Sequence, residues 1–399
     1  MRRELTFFLQ TVLIVVMCWL PLNLFVLGFD GAGRIPLTLL IVSCFIISPF
    51  ISKEIRKKPI CIYIILALYM FVNVIWKGTH IAAINSTTYS VFCKIFNPIF
   101  LFFIVAYLAR INYDRTLIVC LTGLLLYTIL CLVSETSSQY EGRIGSEINP
   151  NTIALNASLS YLLAFYLYVR DKISRLTLII LALIPLYAIL ATGSRMAFII
   201  VVAPTFFYMI FLQKRKKDSV LGLIVFLLLF FIGLTYVLNN TYIGERLLST
   251  TTQIEGTEIE TGNRFIDAFG DRGVQYYNSF PLFLDNFITG IGLNHWVEYN
   301  PTGHVCHSEY LTMYLENGVI GIILYLSFFL YFFRKLKYIY KSKTSSEKSS
   351  YYLLCVFWGL AAINFVFWTY DSYGFFVFYA LTYSFISNNE SKIKNAIAK

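Results

Sequence analysis

Apolar residues form long runs along most of the chain, and short polar segments separate these runs. A helix needs about 20 apolar residues to cross the hydrocarbon core of a membrane, and many of the runs approach or reach that length. The pattern therefore predicts an all-α integral membrane protein built as a polytopic helical bundle. The twelve predicted spans are 5–28, 36–52, 59–76, 89–109, 116–134, 151–169, 176–192, 196–213, 219–238, 308–333, 351–370 and 373–388.

The composition supports the same fold class. Of the 399 residues, 58% are apolar and 14% are charged, whereas a soluble domain carries about 25% charged residues. A soluble globule of this length could not bury so much apolar surface, so a soluble enzyme and a disordered or fibrous protein are excluded. The first run follows two arginines, as a signal peptide would, but it is too long and no small-residue cleavage motif follows it. We therefore predict an uncleaved first span.

The distribution of basic residues predicts the topology. The formal net charge is +10, yet the lysines and arginines lie in short clusters between apolar runs, which is typical of a membrane protein rather than of a nucleic-acid-binding one. With a cytoplasmic N-terminus, 24 of the 32 lysines and arginines fall in inner segments. This bias predicts that both termini are cytoplasmic. The remaining basic residues face outward: Arg34, Lys77, Lys94, Arg143, Arg195, Arg246, Arg264 and Arg272.

One connection is much longer than the others and lies on the outer face. A structureless stretch of such length is uncommon unless it is functional. We expect short amphipathic helices within it, for instance around 263–284, where aromatic residues recur at helical spacing. The predicted organisation is one membrane domain, with spans one to nine in 1–238, the outer loop in 239–306 and spans ten to twelve in 307–399.

Cysteine and histidine usage gives no sign of a disulfide framework or a metal centre. The chain has eight cysteines without CxxC spacing and four histidines. Cysteines inside apolar runs are predicted to be small buried hydrophobic residues. We predict no metal site and no cofactor. The cysteines in apolar runs are Cys18, Cys44, Cys61, Cys93, Cys120, Cys131 and Cys355.

The hairpin between the seventh and eighth spans reads Thr192-Gly193-Ser194-Arg195. Gly193 permits a tight turn. Arg195 then opens a helix, so that its guanidinium adds to the positive end of the helix dipole. That combination suits an anion, in particular a phosphate group. The alternative is an interfacial arginine whose head group reaches towards water.

The long outer loop repeats this arrangement at Thr261-Gly262-Asn263-Arg264. A glycine and a small polar residue again precede an arginine that opens a predicted helix. Two such devices on one face could clamp a diphosphate from two sides. The alternative for Arg264 is an ordinary solvated loop arginine.

Further polar residues near the outer face are candidate substrate-binding groups. Lys94 lies in the first turns of the fourth span, where its charge would cost up to about 3 kcal/mol at mid-bilayer, so it should face the bundle or a wet cavity unless it reaches the interface. Arg143 could bind an anion or pair with a neighbouring glutamate. Asn149 can cap the helix that starts near Pro150, whereas Asn151 has no such structural explanation. Both asparagines are candidate substrate contacts.

His307 is predicted near the N-terminus of the tenth span. The positive dipole end disfavours imidazolium, so the ring should stay neutral and able to accept a proton. A neutral histidine beside two guanidinium groups is a candidate general base. The alternatives are a capping histidine or a zinc pair with His304, for which no third ligand is near. His304 and Glu309 are additional candidate substrate contacts, and Glu316 shares a helix face with Glu309.

Together these motifs resemble the bacterial O-antigen ligase and polymerase superfamily. The resemblance covers the chain from about Lys94 to Gly321 and depends on the order of the motifs, on their common outer face and on the large outer loop late in the chain. The motifs that carry it are His307-Ser308 followed after nine residues by Gly318-x-x-Gly321, the 192–195 hairpin, Gly262-Asn263-Arg264, and Gly290-Ile291-Gly292.

The resemblance implies a metal-independent, inverting, GT-C-like glycosyltransferase in the bacterial inner membrane with a periplasmic active site. Its donor would be a glycan on undecaprenyl diphosphate and its acceptor a second glycan, with membrane lipids around it, a chain-length regulator protein as a further partner and no nucleic acid. By correspondence with the family, Arg195 and Arg264 would hold the donor diphosphate and His307 would activate the acceptor hydroxyl. Lys94 falls where members often carry a basic residue. The outer loop would close over the donor and exclude water.

Several functions fit these observations. The Asn149-Pro150-Asn151 segment and the generally divergent sequence of the chain favour an O-antigen polymerase. The acceptor of such a polymerase is another lipid-linked repeat unit. The alternative within the family is an O-antigen ligase, whose acceptor is the sugar core of lipopolysaccharide. A transporter or flippase could also have twelve spans, but such proteins place ionisable groups near the midplane and show related halves. A structural membrane protein would not need a cluster of charges on the outer face.

Overall fold

The computed structural model describes residues 2–23, 34–78, 88–135, 139–140, 143–144, 150–215, 228, 231–233, 235–237, 239–240, 271–293, 295–299, 308–342, 346–364 and 373–397. Within these ranges the chain is almost entirely helical. The elements are α1 (Arg2–Asn23), α2 (Arg34–Ile46), α3 (Ser48–Glu54), α4 (Lys58–Lys77), α5 (Thr88–Ile111), α6 (Tyr113–Glu135), β1 (Gln139–Tyr140), β2 (Arg143–Ile144), α7 (Pro150–Val169), α8 (Arg175–Thr192), α9 (Arg195–Arg215), α10 (Asp271–Asp285), α11 (Trp296–Tyr299), α12 (Glu309–Lys341), α13 (Glu347–Ile363) and α14 (Tyr373–Ile397).

Most described helices begin and end within a few residues of the predicted spans. Proline and glycine explain several of the sharp ends. Pro59 lies in the first turn of α4 and Gly78 caps its C-terminus, and Gly193 caps α8 with a left-handed backbone. Proline lacks the N–H that a first helical turn leaves unused, and glycine adopts a positive φ without strain.

Three predicted spans differ clearly in the structure. The predicted helix 36–52 is two helices, because the chain turns at Ile47 and Pro49 then starts α3. The predicted helix 308–333 continues as α12 to Lys341, and the predicted helix 373–388 continues as α14 to Ile397. These extensions were not predicted because hydropathy indicates only where an apolar span ends. A helix with charged residues can continue beyond that point into water. The predicted span 219–238 lies mostly outside the described residues.

Membrane-spanning character is evident from helix length and composition. Among the described residues, five helices are long and apolar enough to cross a membrane: Lys58–Lys77, Tyr113–Ser134, Pro150–Val169, Arg175–Thr192 and Glu309–Lys341. The helices Ile95–Ile111 and Arg195–Phe211 are apolar but shorter. The described part of the protein is therefore that of a mainly helical membrane protein, and the total of twelve spans stays a prediction.

Helix α7 lies at the centre of the bundle and α8 at its surface. In α7, 83% of the spanning window is buried, compared with 28% in α8. Small residues let neighbouring helices approach α7 closely, as at Ser158, whose hydroxyl donates to the carbonyl of Ala197 in α9. An apolar residue of a membrane helix can face lipid as well as the core. Cys61 was predicted to be buried, but it is exposed on the surface of α4.

Charged residues from segments predicted to be cytoplasmic cluster at one end of the bundle. Buried Glu54 pairs with Arg110 at 2.9 Å and with Lys57 at 2.7 Å, and it accepts a hydrogen bond from Tyr383. These contacts join the end of α3 to α5 and α14. Asp114 pairs with Arg170 in the same way at the start of α6. We call this the inner end of the bundle.

Four elements, the strands β1 and β2 and the helices α10 and α11, lie in segments predicted to be outer loops. Strands β1 and β2 form a short antiparallel hairpin with Tyr140 opposite Arg143. Helix α10 (Asp271–Asp285) falls within the range around 263–284 where the sequence predicts an amphipathic helix, and residues 263–270 lie outside the described part. Its side chains Phe280 and Leu284 are exposed.

Candidate functional site

The 192–195 hairpin is held against the start of α7. Gly193 has φ 64° and ψ 23°, as the predicted tight turn requires. The next residue, Ser194, is buried, and its hydroxyl donates to Oδ1 of Asn151 at 2.9 Å. Arg195, the first residue of α9, is half-buried. The hydrogen bond therefore fixes the turn that carries Arg195 to the N-terminal turn of α7.

Helix α13 connects this hairpin to the start of α12. Helices α9 and α13 pack antiparallel, since Phe211 stacks on Tyr351 with ring centroids 4.1 Å apart while Gly359 packs against Pro204. The N-terminus of α9 therefore lies at the same end of the bundle as the C-terminus of α13. This end is opposite to the inner end, and we call it the outer end.

The start of α12 is anchored on the end of α13. Asn364, the C-cap of α13, is fully buried. Its carbonyl accepts a hydrogen bond from the Glu309 amide at 2.8 Å and from the Ser308 hydroxyl at 3.4 Å. Ser308 is also the N-cap of α12 and accepts from the Leu311 amide. The residue that precedes Ser308 is the predicted base, so these contacts fix the helix start beside it.

Helix α12 is interrupted at Gly318, whose φ of 64° and ψ of −166° are not helical. This backbone region is open almost only to glycine. A nine-residue piece, 309–317, therefore precedes the break, and we call it the outer segment of α12. The long apolar run gave no sign of this interruption, although Gly318 belongs to the quoted motif.

Residues 287–292, the inserted segment, fill the break in α12. The amide of Ile291 donates to the Leu315 carbonyl at 2.7 Å, and the amide of Gly292 donates to the Glu316 carbonyl at 3.1 Å. On the other side, the amide of Val319 donates to the carbonyl of Phe287 at 2.9 Å. Backbone groups that an unbroken helix would pair internally thus find partners in the inserted segment.

Glycines make this backbone contact possible. A Cβ at Gly318 would collide with the Ile288 carbonyl, and one at Gly290 would collide with the backbone at Glu316. Both glycines have positive φ. The quoted motifs at Gly318 and at Gly290 thus lie on the two sides of one backbone contact.

Three side chains of α4 bind the inserted segment and the outer segment of α12. The sequence did not identify them as part of the candidate site. Buried Asn73 donates to the carbonyls of Thr289 and Glu316, at 3.1 and 3.0 Å. Tyr69 donates to the Asn317 carbonyl at 2.9 Å, and Lys77 donates to the Thr289 hydroxyl at 2.9 Å and to the Gly290 carbonyl. Their spacing of four residues in an apolar helix was the available signal, because it places them on one face.

The described structure contains some of the predicted site residues and not others. Glu309 is fully buried at the start of α12. Lys94 lies within α5 and Arg143 within β2, but their side chains are not described. Asn149, Arg264, His304 and His307 lie outside the described residues, so their roles remain predictions. Of the candidates, the structure brings together Asn151 and the hairpin of Arg195.

No group of three His, Cys, Asp or Glu side chains within the described ranges could hold a metal ion. The nearest histidine contact joins His295 Nδ1 to Glu298 Oε2 at 3.3 Å, just after the inserted segment. His295 packs against Gly292, beside Lys77.

These features define a polytopic helical membrane protein with an elaborated outer end. Residues 178–326 match the family model described as O-antigen ligase. This match supports the resemblance to the O-antigen ligase and polymerase superfamily, a group of glycan-handling membrane enzymes, that the motifs predicted. The matched range runs from α8 to α12 and includes Arg195, Arg264 and His307. No individually curated protein matches the chain.

Proposed function

We propose that the protein is an O-antigen polymerase that joins undecaprenyl-diphosphate-linked repeat units by metal-independent inverting transfer. The observation that carries this proposal is the arrangement of the matched range at the outer end. There the start of α9, with Arg195, and the start of α12, next to His307, both lie at the C-terminal end of α13.

The proposed reaction uses charge neutralisation and a general base. Arg195 and Arg264, with Lys94, would balance the charge of the donor diphosphate without a divalent cation. His307 would take the proton from the acceptor hydroxyl as its oxygen attacks the anomeric carbon from the opposite face. The bond from that carbon to the diphosphate oxygen breaks, and undecaprenyl diphosphate leaves.

The test is the glycan pattern of a deletion strain complemented with variants. Wild-type protein should restore a ladder of long chains, whereas His307→Ala should leave single-unit-capped core, because loss of a general base costs about 10²–10⁴-fold in rate. Arg195→Ala should do the same, and Arg195→Lys should restore part of the ladder. Bare core together with free lipid-linked long chains would identify a ligase, the activity that the matched family model names.

A transport function makes the opposite prediction. Intact glycan assembly with both His307→Ala and Arg195→Ala, together with blocked movement of a small solute, would contradict the enzyme proposal. Membrane levels of each variant, measured by immunoblot, control for loss of expression.

A further inference from the structure

The polar face of α4, formed by Tyr69, Asn73 and Lys77, contacts both partners at the break in α12. Asn73 alone bridges the two, since its single amide nitrogen donates to Thr289 in the inserted segment and to Glu316 in the outer segment. Asn73 is 3% exposed. A buried donor shared between two carbonyls fixes their separation, because leaving either without a partner costs free energy in an environment without water.

The other two residues of this face act on one partner each. Tyr69 donates to the last carbonyl of the outer segment, at Asn317, whose side chain is fully buried. Lys77 donates to the inserted segment at Thr289 and Gly290. Lys77 is therefore engaged with protein oxygens. This explains an outward-facing lysine that the topology did not require.

The outer segment has anchors at both of its ends. Its first amide, at Glu309, is bound by the Asn364 carbonyl of α13. Its last carbonyls, at Glu316 and Asn317, are bound by α4 and by the inserted segment. Because Gly318 separates this segment from the rest of α12, the rest of α12 does not by itself fix its position. The polar face of α4 supplies the constraint that the break removes.

We propose that Tyr69, Asn73 and Lys77 are positioning residues, which hold the outer segment of α12, and through it the adjacent His307, in the geometry for glycosyl transfer. This inference rests on the proposed function. A displacement of about 1 Å in a reacting group can cost about 10²-fold in rate. A positioning residue of this kind should therefore affect kcat far more than donor KM.

The experiment compares kinetics of purified full-length variants, with lipid-linked glycan extracted from the deletion strain as donor and acceptor. Lys77→Met should lower kcat by about 10- to 100-fold with donor KM changed by less than about twofold. Lys77→Arg, which keeps a donor, should restore part of kcat. Tyr69→Phe removes only a hydroxyl and should lower kcat in the same direction. A raised KM with unchanged kcat would mean that Lys77 binds the donor directly, and would overturn the proposal.

Tyr352→Phe is the matched control for Tyr69→Phe. Its hydroxyl also donates to a backbone carbonyl between helices, that of Leu162 at 2.9 Å, but away from the break in α12. The control should leave kcat unchanged. An equal loss in Tyr352→Phe and Tyr69→Phe would indicate a general effect on the fold, and would overturn the positioning role.

Amide hydrogen exchange separates this inference from the proposed function. Lys77→Met and Tyr69→Phe should increase exchange in 287–292 and 309–317, where backbone hydrogen bonds join the two segments. Exchange equal to that of the wild-type protein would show that the polar face of α4 does not hold them, and would overturn the inference. A wild-type protein without glycosyl transfer would overturn the proposed function, while the exchange data would still decide whether α4 fixes the outer segment.

Discussion

Asn151 and Ser194 show how one hydrogen bond can determine where a functional side chain lies. Asn151 was a candidate substrate contact because no capping role explained it. In the structure its Oδ1 accepts from the buried Ser194 hydroxyl, so it holds the turn before Arg195. This contact gives Asn151 a role in positioning the hairpin, and its role as a substrate contact stays a prediction.

Loss of this hydrogen bond should be measurable in a double-mutant comparison. Asn151→Ala and Ser194→Ala should each lower the amount of long-chain glycan several-fold, because the turn before Arg195 loses its anchor. Since both changes remove the same contact, the double variant should be no worse than either single one. Asn151→Asp, which keeps an acceptor oxygen, should retain most of the activity. Fully additive losses would show that the two residues act separately.

At the scale of elements, α12 is a helix that the sequence predicts. The sequence does not predict the break within it at Gly318. The apolar run fixes the helix, since its period and length are local properties. The break at Gly318 depends on hydrogen bonds to the inserted segment, about 28 residues earlier in the chain. A glycine motif at each place signals close packing, but the pairing of two backbones cannot be read from either motif alone.

Substitution of Gly318 should destabilise the protein strongly. Alanine there would carry an unfavourable backbone conformation and collide with the Ile288 carbonyl, so we expect a loss of about 2 kcal/mol or more. The midpoint of thermal unfolding in detergent should fall. Gly233→Ala is the matched control, because no atom lies within 4 Å of the added Cβ and φ is not positive. A similar midpoint for both variants would contradict the role of the break.

The polar face of α4 shows why the sequence did not predict every residue that holds the outer segment of α12. Tyr69, Asn73 and Lys77 are ordinary residues individually, and a lysine at a helix end is typical of a membrane interface. Their spacing identifies a common helix face but not the partner of that face. The contribution of α13 was missed for the same reason, because Asn364 acts through its backbone carbonyl, which any residue carries.

At the scale of the whole molecule, the two ends of the bundle differ in chemistry. Among the described residues, the inner end is joined by ion pairs around Glu54 and Asp114, whereas the outer end is joined by backbone contacts and by side-chain hydrogen bonds such as those of Asn73 and Lys77. The distribution of basic residues predicts which end faces the cytoplasm, and this orientation stays a prediction. Mutations at the two ends should therefore affect different properties.

Labelling of introduced cysteines tests the orientation. With the exposed Cys61 and the outer-loop Cys306 replaced by serine, Asp285→Cys should react with a membrane-impermeant maleimide in intact spheroplasts. Lys53→Cys, which is exposed near the inner end, should react only after lysis. The reverse pattern would show that the outer end faces the cytoplasm.

Glu54 should contribute to stability but not to glycosyl transfer. Its partners Arg110 and Lys57 are 62% and 41% exposed, so its removal leaves no buried charge. It does leave the buried Tyr383 hydroxyl without this acceptor, and we expect Glu54→Ala to cost about 1–3 kcal/mol. The unfolding midpoint in detergent should fall, with the glycan ladder unchanged at permissive temperature. Asp285→Asn, at an exposed carboxylate, is the control, and an altered ladder for Glu54→Ala would contradict the separation.

The backbone contacts at the break in α12 also constrain how the outer loop can move. Residues 287–292 form hydrogen bonds with α12 on both sides of Gly318, two of them with the outer segment. The outer segment therefore cannot be displaced without carrying residues 287–292 along. If the outer loop closes over the donor, as the resemblance implies, residues 287–292 and the outer segment of α12 would move together. Any rearrangement that reaches its inserted part is transmitted mechanically to the helix start beside residue 307.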